Sequence, residues 1–277
     1  CNIVVPSGLH ARLGIQCAEA GKHVICTKPI DITLEAIDAL IAAGERNNVK
    51  IAATHQCRDY RIYRRAKQAI DEGRLGRMLY GNVRVPWYRS DEYYSDGWHG
   101  TRALDGGGAL MNQSIHYIDL LLWMMGKVTC VCGFAEALGH DIEVEDCATA
   151  SLQFESRAQG MIQGTTCTYR GYEARLGLHG TKGNIMVVGD ELMMWDLEGE
   201  EILHNPAAGH AGGASDPKSG MVGEAVSAHA RQIRDVLLAV EEGREPELNA
   251  REARRSVETI LAIYRSSETR QFVNLAT

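Results

Sequence analysis

Long apolar runs are missing from this chain of 277 residues. The nearest candidate, IDLLLWMMG at residues 118–126, falls short of the roughly 18 to 20 residues a membrane span requires and reads as the buried end of a helix. An excess of positive charge is missing as well. The 29 basic and 36 acidic side chains leave a net charge of −7, which gives no general attraction to nucleic acid or to an anionic membrane. Proline is scarce, at six, and with 45% hydrophobic residues the composition is that of a globular chain long enough for two ordinary cores. Neither HExxH nor GxSxG occurs. His99, His116 and Asp119 form no compact ligand set, so no metal site and no serine triad is expected. Cys130 and Cys132 lack the second pair of a zinc site. The eight cysteines fall mostly in apolar segments and read as buried small hydrophobes of a reducing, cytoplasmic compartment.

What is present is a change of hydrophobic period. Ile3 to Val5 read as a buried strand, Ser7 as the cap of a helix to about Ala20, HVICTKP as a second strand, TLEAIDALIAAGERNN as a helix capped by Thr33, and VKIAAT as a third strand. Strands and helices alternating at these spacings fit crossover units, hence an α/β region with a partial Rossmann-type parallel sheet. One more helix over residues 59–72 closes a first domain, 1–75. From Met78 the texture changes, and residues 76–277 read as an α+β domain with a large, mostly antiparallel sheet. NVRVPWYR opens it, ALMNQSIHYIDLLLWMM predicts one regular helix, and strand-like runs follow from KVTCVCGFAEA to GNIMVVG. ELMMWDLEGEEIL predicts a hairpin, NPAAGHAGGASDPKSG a loop without period, and two helices close the chain, from about Glu224 to Glu242 and from about Ala250 to Thr269.

Two places carry candidate chemistry. Lys28 stands at the carboxyl edge of a strand, where open sheets hold ligands, and Pro29 keeps it out of the α region. Desolvation there would lower the lysine pKa and suit it to shuttle a proton or anchor a hydroxyl; a surface lysine at a turn would look the same. In DGGGALMNQSIHYID, glycines 106–108 let backbone approach a ligand, and Asn112 and His116, four apart, share a helix face. The imidazole can pass a proton, whereas the amide can only orient a hydroxyl. A core histidine satisfied by its neighbours is the alternative. Between Arg84 and Arg102, Trp87, Tyr88, Tyr93, Tyr94 and Trp98 alternate with Arg89, Asp91, Asp96 and Arg102. That mixture suits stacking on a sugar ring, and equally a covered sheet edge or a subunit contact.

PSGLH after a strand, KHVICTKPI, LDGGGALMNQSIHYIDLLLWMMG and REARRSVETILAIYRSS together resemble signatures of the glucose-fructose oxidoreductase, inositol dehydrogenase and rhizopine catabolism (Gfo/Idh/MocA) family of nicotinamide-dependent dehydrogenases. The similarity spans essentially the whole chain. It implies NAD or NADP as cofactor, and residues 1–75 as the remaining part of a dinucleotide-binding domain. It further implies a substrate-binding and oligomerisation domain over 76–277, a small carbohydrate-like substrate, and a homodimer or homotetramer. Carried over, Lys28 and His116 are the catalytic pair, and Asn112 falls where many members have aspartate and binds substrate, with Trp98, Arg102 and Tyr94 beside it. Pro6, Ser7, Leu9 and His10 lie near the cofactor with Thr27 and Lys28, Thr27 replacing a glutamate of the family motif. The implied reaction moves a hydride between the nicotinamide cofactor and a secondary hydroxyl of a sugar, polyol or nucleotide sugar. An NAD-dependent glycoside hydrolase and a noncatalytic, oligomer-forming relative are the other readings.

No GxGxxG occurs, although a dinucleotide domain cradles pyrophosphate with that turn. CNIVVPSGLH therefore reads as a middle strand of such a domain. The expectation is an intact parent that is an oxidoreductase, and a 277-residue chain that binds cofactor weakly or not at all by itself.

Overall fold

The computed structural model describes residues 1–208 and 222–275. Its first layer is a three-stranded parallel sheet in the order β1 (Asn2–Ile3), β2 (Val24–Cys26), β3 (Ile51–Ala53). β1 stops at Ile3, earlier than the apolar run suggests, and leaves Val4 and Val5 exposed. Ser7 opens a single 3-10 turn, Ser7–Leu9, ahead of α1 (His10–Glu19), and does not cap it. Asp31, brought from the β2 side, accepts the Ala11 N–H at 2.8 Å instead. α2 (Leu34–Arg46) starts as expected, with the Thr33 hydroxyl accepting from the Ala36 amide. α3 (Arg61–Asp71) follows a 3-10 segment, Gln56–Asp59.

The second layer is a nine-stranded sheet built from β4 (Met78–Pro86), β5 (Val128–Glu136), β6 (Cys147–Phe154), β7 (Gln159–Thr165), β8 (Arg175–Gly180), β9 (Gly183–Val188), β10 (Glu191–Leu197), β11 (Leu203–His204) and β12 (Val273–Asn274). Its order is β11-β10-β9-β8-β4-β7-β6-β5-β12, and only β4 and β7 run parallel. In β6, Ala148, Ala150, Leu152 and Phe154 are buried while Thr149, Ser151 and Gln153 are exposed, the period-2 pattern of a sheet with one face packed. The expected hairpin joins β10 to β11, Trp195 opposite Leu203.

α4 (Ile115–Met125) lies under that packed face, with only Trp123 outside the buried set. Such a helix, apolar nearly all round, is stable only inside a core. Gly81 of β4 lets it come close, since a Cβ there would meet Leu121 and Met125 at 2.8 Å. α5 (Val222–Glu242) and α6 (Ala250–Thr269) match the expected closing helices. α6 lies against β5, where Ser266 and Ser267 accept from the Gly133 and Ala135 amides, and its Arg254 pairs with Asp38 of α2. One apolar core therefore runs from Ile3 and Val24 to Val257, Ile260 and Ile263.

The cysteines differ from expectation: Cys26 and Cys57 are buried, Cys1 is exposed and the other five are partly buried, all as free thiols. The loop expected over NPAAGHAGGASDPKSG lies largely outside the described residues. Among the described residues no helix is long and apolar enough to cross a membrane.

Candidate active site

Lys28 leaves the end of β2 and donates through Nζ to the Asn112 carbonyl at 2.6 Å and to Asn112 Oδ1 at 2.8 Å. Burial pulls its ammonium down to about 8; Asp105 opposes that and Arg89 adds to it. Asn112 in turn donates through Nδ2 to Asp105 Oδ1 at 2.7 Å, which orients the amide. The result is a line Lys28–Asn112–Asp105, with the carboxylate standing behind the amide. Burial raises Asp105, and the Gly100 amide on Oδ2 works against that shift.

The segment holding Asn112 departs from the regular helix that its sequence predicts. Ala109–Ser114 forms a π-helical stretch before α4 begins. Asn112 thus lies in the π-helical stretch and His116 in the first turn of α4. Widened turns of this kind recur at functional sites, and here the widened turn holds the carbonyl that accepts from Lys28.

His116 is 9% exposed and its Nδ1 has no hydrogen-bond partner among the described residues. Burial holds it well below the usual imidazole value, and the charges of Lys28, His55 and His229 push the same way. It is a neutral ring at neutral pH. His55 meets it edge to face, centroids 5.5 Å apart, and burial lowers His55 to about 4. Asp119 is committed elsewhere: it takes two bonds of 2.7 Å from Arg58 and lies 4.0 Å from His55 Nδ1.

The cofactor-side candidates cluster around one loop. His10 is buried, its Nδ1 2.7 Å from the Pro29 carbonyl and its Nε2 2.9 Å from the Val5 carbonyl and 3.3 Å from Thr27 Oγ1. It thus pins the Lys28–Pro29 turn, whose peptide bond is cis. Pro6, Ser7 and Leu9 form the turn above it, with Ser7 buried. Ile3 of β1 registers with Cys26 of β2, so the exposed Val4 and Val5 flank Thr27 and Lys28.

The substrate-side candidates divide. Tyr94 bonds Thr166 Oγ1 at 2.8 Å and packs on His140, and Trp98 stacks on His99. Arg102 turns to Glu143, with Nε 3.1 Å from its carbonyl. It lines a cavity of about 400 Å³ to which neither Lys28 nor His116 contributes. Tyr93 connects to the helix segment instead, since Gln113 donates to its hydroxyl at 3.2 Å. Arg89 stands over the rings of Tyr93 and Trp87. His55 and His229 carry no signal in the sequence, and only the approach of distant segments reveals them; Asp105 opens the DGGG motif, but its bond to Asn112 is seen only in the structure.

Residues 63–186 match the model of the GFO/IDH/MocA C-terminal domain, and residues 1–55 that of an oxidoreductase family with an NAD-binding Rossmann fold. The structure superposes on the WlbA dehydrogenase from Bordetella pertussis, in complex with NADH and UDP-GlcNAcA, with a TM-score of 0.86 and 31% identity. That match covers 100% of this chain and 79% of that one. The chain belongs to the GFO/IDH/MocA family. This GFO/IDH/MocA chain is also 28% identical over 210 residues to levoglucosan dehydrogenase of Pseudarthrobacter phenanthrenivorans, covering 67% of this chain and 54% of that protein. To myo-inositol 2-dehydrogenase of Thermotoga maritima it is 29% identical over 185 residues, covering 64% and 52%. The chain thus spans about half the length of the curated relatives it matches.

Proposed function

We propose that this chain carries the catalytic centre of an oxidoreductase that moves a hydride between a nicotinamide cofactor and a secondary hydroxyl of a sugar, polyol or nucleotide sugar. The pair of hydrogen bonds from Lys28 Nζ to Asn112 carries this reading. A neutral amine has two N–H bonds and one lone pair. Asn112 takes both N–H groups, so the lone pair is left to accept the hydroxyl proton, and a value near 8 keeps a useful fraction of the amine neutral. In the reverse direction the ammonium's third N–H returns the proton to the carbonyl oxygen.

His116 is not an imidazolium at rest, so one ring nitrogen carries a proton and the other is free to accept one. Its assignment is to hydrogen-bond the reacting hydroxyl and pass the proton onward. The apolar ledge of Val4 and Val5, with Pro6, Thr27 and the His10-pinned turn, is assigned to the nicotinamide end. When bound, the cofactor supplies the hydride acceptor. Arg89 and Tyr93 are assigned to the sugar, alongside Asn112, Tyr94 and Trp98; Arg102, turned to Glu143 and lining a separate cavity, is left out of that set.

The test is a substrate panel of UDP-GlcNAcA, levoglucosan and myo-inositol with saturating NAD, following reduced nicotinamide. Reduction that Lys28→Met abolishes supports the dehydrogenase. Glycoside cleavage without net cofactor reduction would point to the hydrolase instead.

A further inference from the structure

We propose that the adjacent acids Glu145 and Asp146 are positioning residues that each hold one of the two loops around the Lys28–Asn112 contact. The proposal rests on the site assigned above.

Glu145 collects three consecutive backbone donors. The Gly108 N–H reaches Oε2 at 2.8 Å, the Ala109 N–H reaches the Glu145 carbonyl at 2.9 Å, and the Leu110 N–H reaches Oε1 at 2.7 Å. The Tyr264 hydroxyl of α6 also donates to Oε1, at 2.8 Å. These amides open the π-helical stretch, which has no side-chain cap of its own. The first amides of a helical segment lack partners within it, and a residue two positions before β6 supplies them. A Cβ at Gly108 would lie 1.8 Å from the Glu145 carbonyl oxygen, so only glycine permits the approach. The Asn112 N–H then bonds the Gly108 carbonyl at 2.9 Å, linking the anchored end to the residue that Lys28 meets.

Asp146 does the same for the other side. Oδ1 accepts from the Leu138 amide at 2.7 Å, and Oδ2 accepts from the Gly139 and His140 amides at 2.8 Å each. The His140 ring bridges Asp146 Oδ2 at 2.8 Å and the Arg89 carbonyl at 2.9 Å. The Asp146 carbonyl accepts from Thr166 at 2.8 Å, the Thr166 carbonyl accepts from Arg89 at 2.7 Å, and Thr166 Oγ1 meets the Tyr94 hydroxyl. Asp146 therefore holds the segment that presents Arg89, Tyr93 and Tyr94. Both acids use both carboxylate oxygens as acceptors. An amide of the same size would turn an N–H against an N–H at one of them.

Hydrogen exchange read by mass spectrometry on the full chain tests this without turnover, so its outcome is separate from that of the dehydrogenase assay. Glu145→Gln is expected to speed exchange over residues 106–114 by about tenfold or more. It should also raise the rate at which acetic anhydride acylates Lys28, with residues 87–94 unchanged. Asp146→Asn is expected to speed exchange over 87–94 and 138–140 and to spare 106–114. Unchanged exchange in both variants overturns the proposal, and so does a rise spread evenly over both loops and the sheet. If either variant fails to fold, Tyr264→Phe and His140→Ala remove one partner each and leave the acids in place. A local rise in the corresponding loop supports the assignment, and wild-type exchange in both overturns it.

Discussion

Lys28 and Asn112 lie 84 positions apart in the chain and meet through two hydrogen bonds, at 2.6 and 2.8 Å. The contact joins the end of β2 to the π-helical stretch ahead of α4, so any change in how these segments sit against each other is felt at the amine.

Lys28→Met removes the proton acceptor and keeps an unbranched side chain one atom shorter. Turnover of whichever panel substrate is active should fall by about 10²- to 10⁴-fold, with the thermal midpoint lowered little. Near-normal kcat in steady-state kinetics would remove Lys28 from the mechanism.

The oxidation rate should rise with pH and level off above about 8, since the neutral amine is the acting form. Reduction of the corresponding ketone should show the opposite trend. A kcat/KM profile flat from pH 6 to 9 in the oxidative direction would contradict a lysine base.

Stability carries the same linkage. Lys28 is lowered from about 10.5 to about 8, so the unfolded chain binds more protons between those values and stability gains with rising pH across that window. His55, lowered from about 6.5 to about 4, makes stability fall as pH drops from 6.5 toward 4. His55→Phe should flatten the acid limb in urea titrations at pH 7 and pH 5. An unchanged slope would show that other groups control it.

Asp119→Ala leaves the Arg58 guanidinium buried, with Glu252, 3.8 Å away, and Glu247 as the acids that still act on it. Breaking a buried pair from one side costs about 3–5 kcal/mol. Chemical denaturation should show a loss of that size. A loss below about 1 kcal/mol would mean that Glu252 or water takes over the charge.

The cap of α2 and the two closing helices were legible because each depends on near neighbours, as Thr33 does on Ala36. The resemblance of KHVICTKPI and LDGGGALMNQSIHYID to known dehydrogenases pointed to Lys28, Asn112 and His116 for a similar reason, since short motifs keep their order along the chain. The cap of α1 was not legible. Ser7 has the right chemistry nearby, yet the amide goes to Asp31, twenty residues on.

By itself, the sequence of this protein determined element types, a parallel layer followed by a mostly antiparallel one, and the residue types of the proposed site. Tertiary structure alone decided that the expected helix opens as a π-helical stretch, that Asp105 stands behind Asn112, and that Asp119 belongs to Arg58 rather than to His116. It also decided the ionisation of Lys28 and His116. Periodicity reports which face of an element is apolar, whereas desolvation and charge depend on what is packed against that face from elsewhere in the chain.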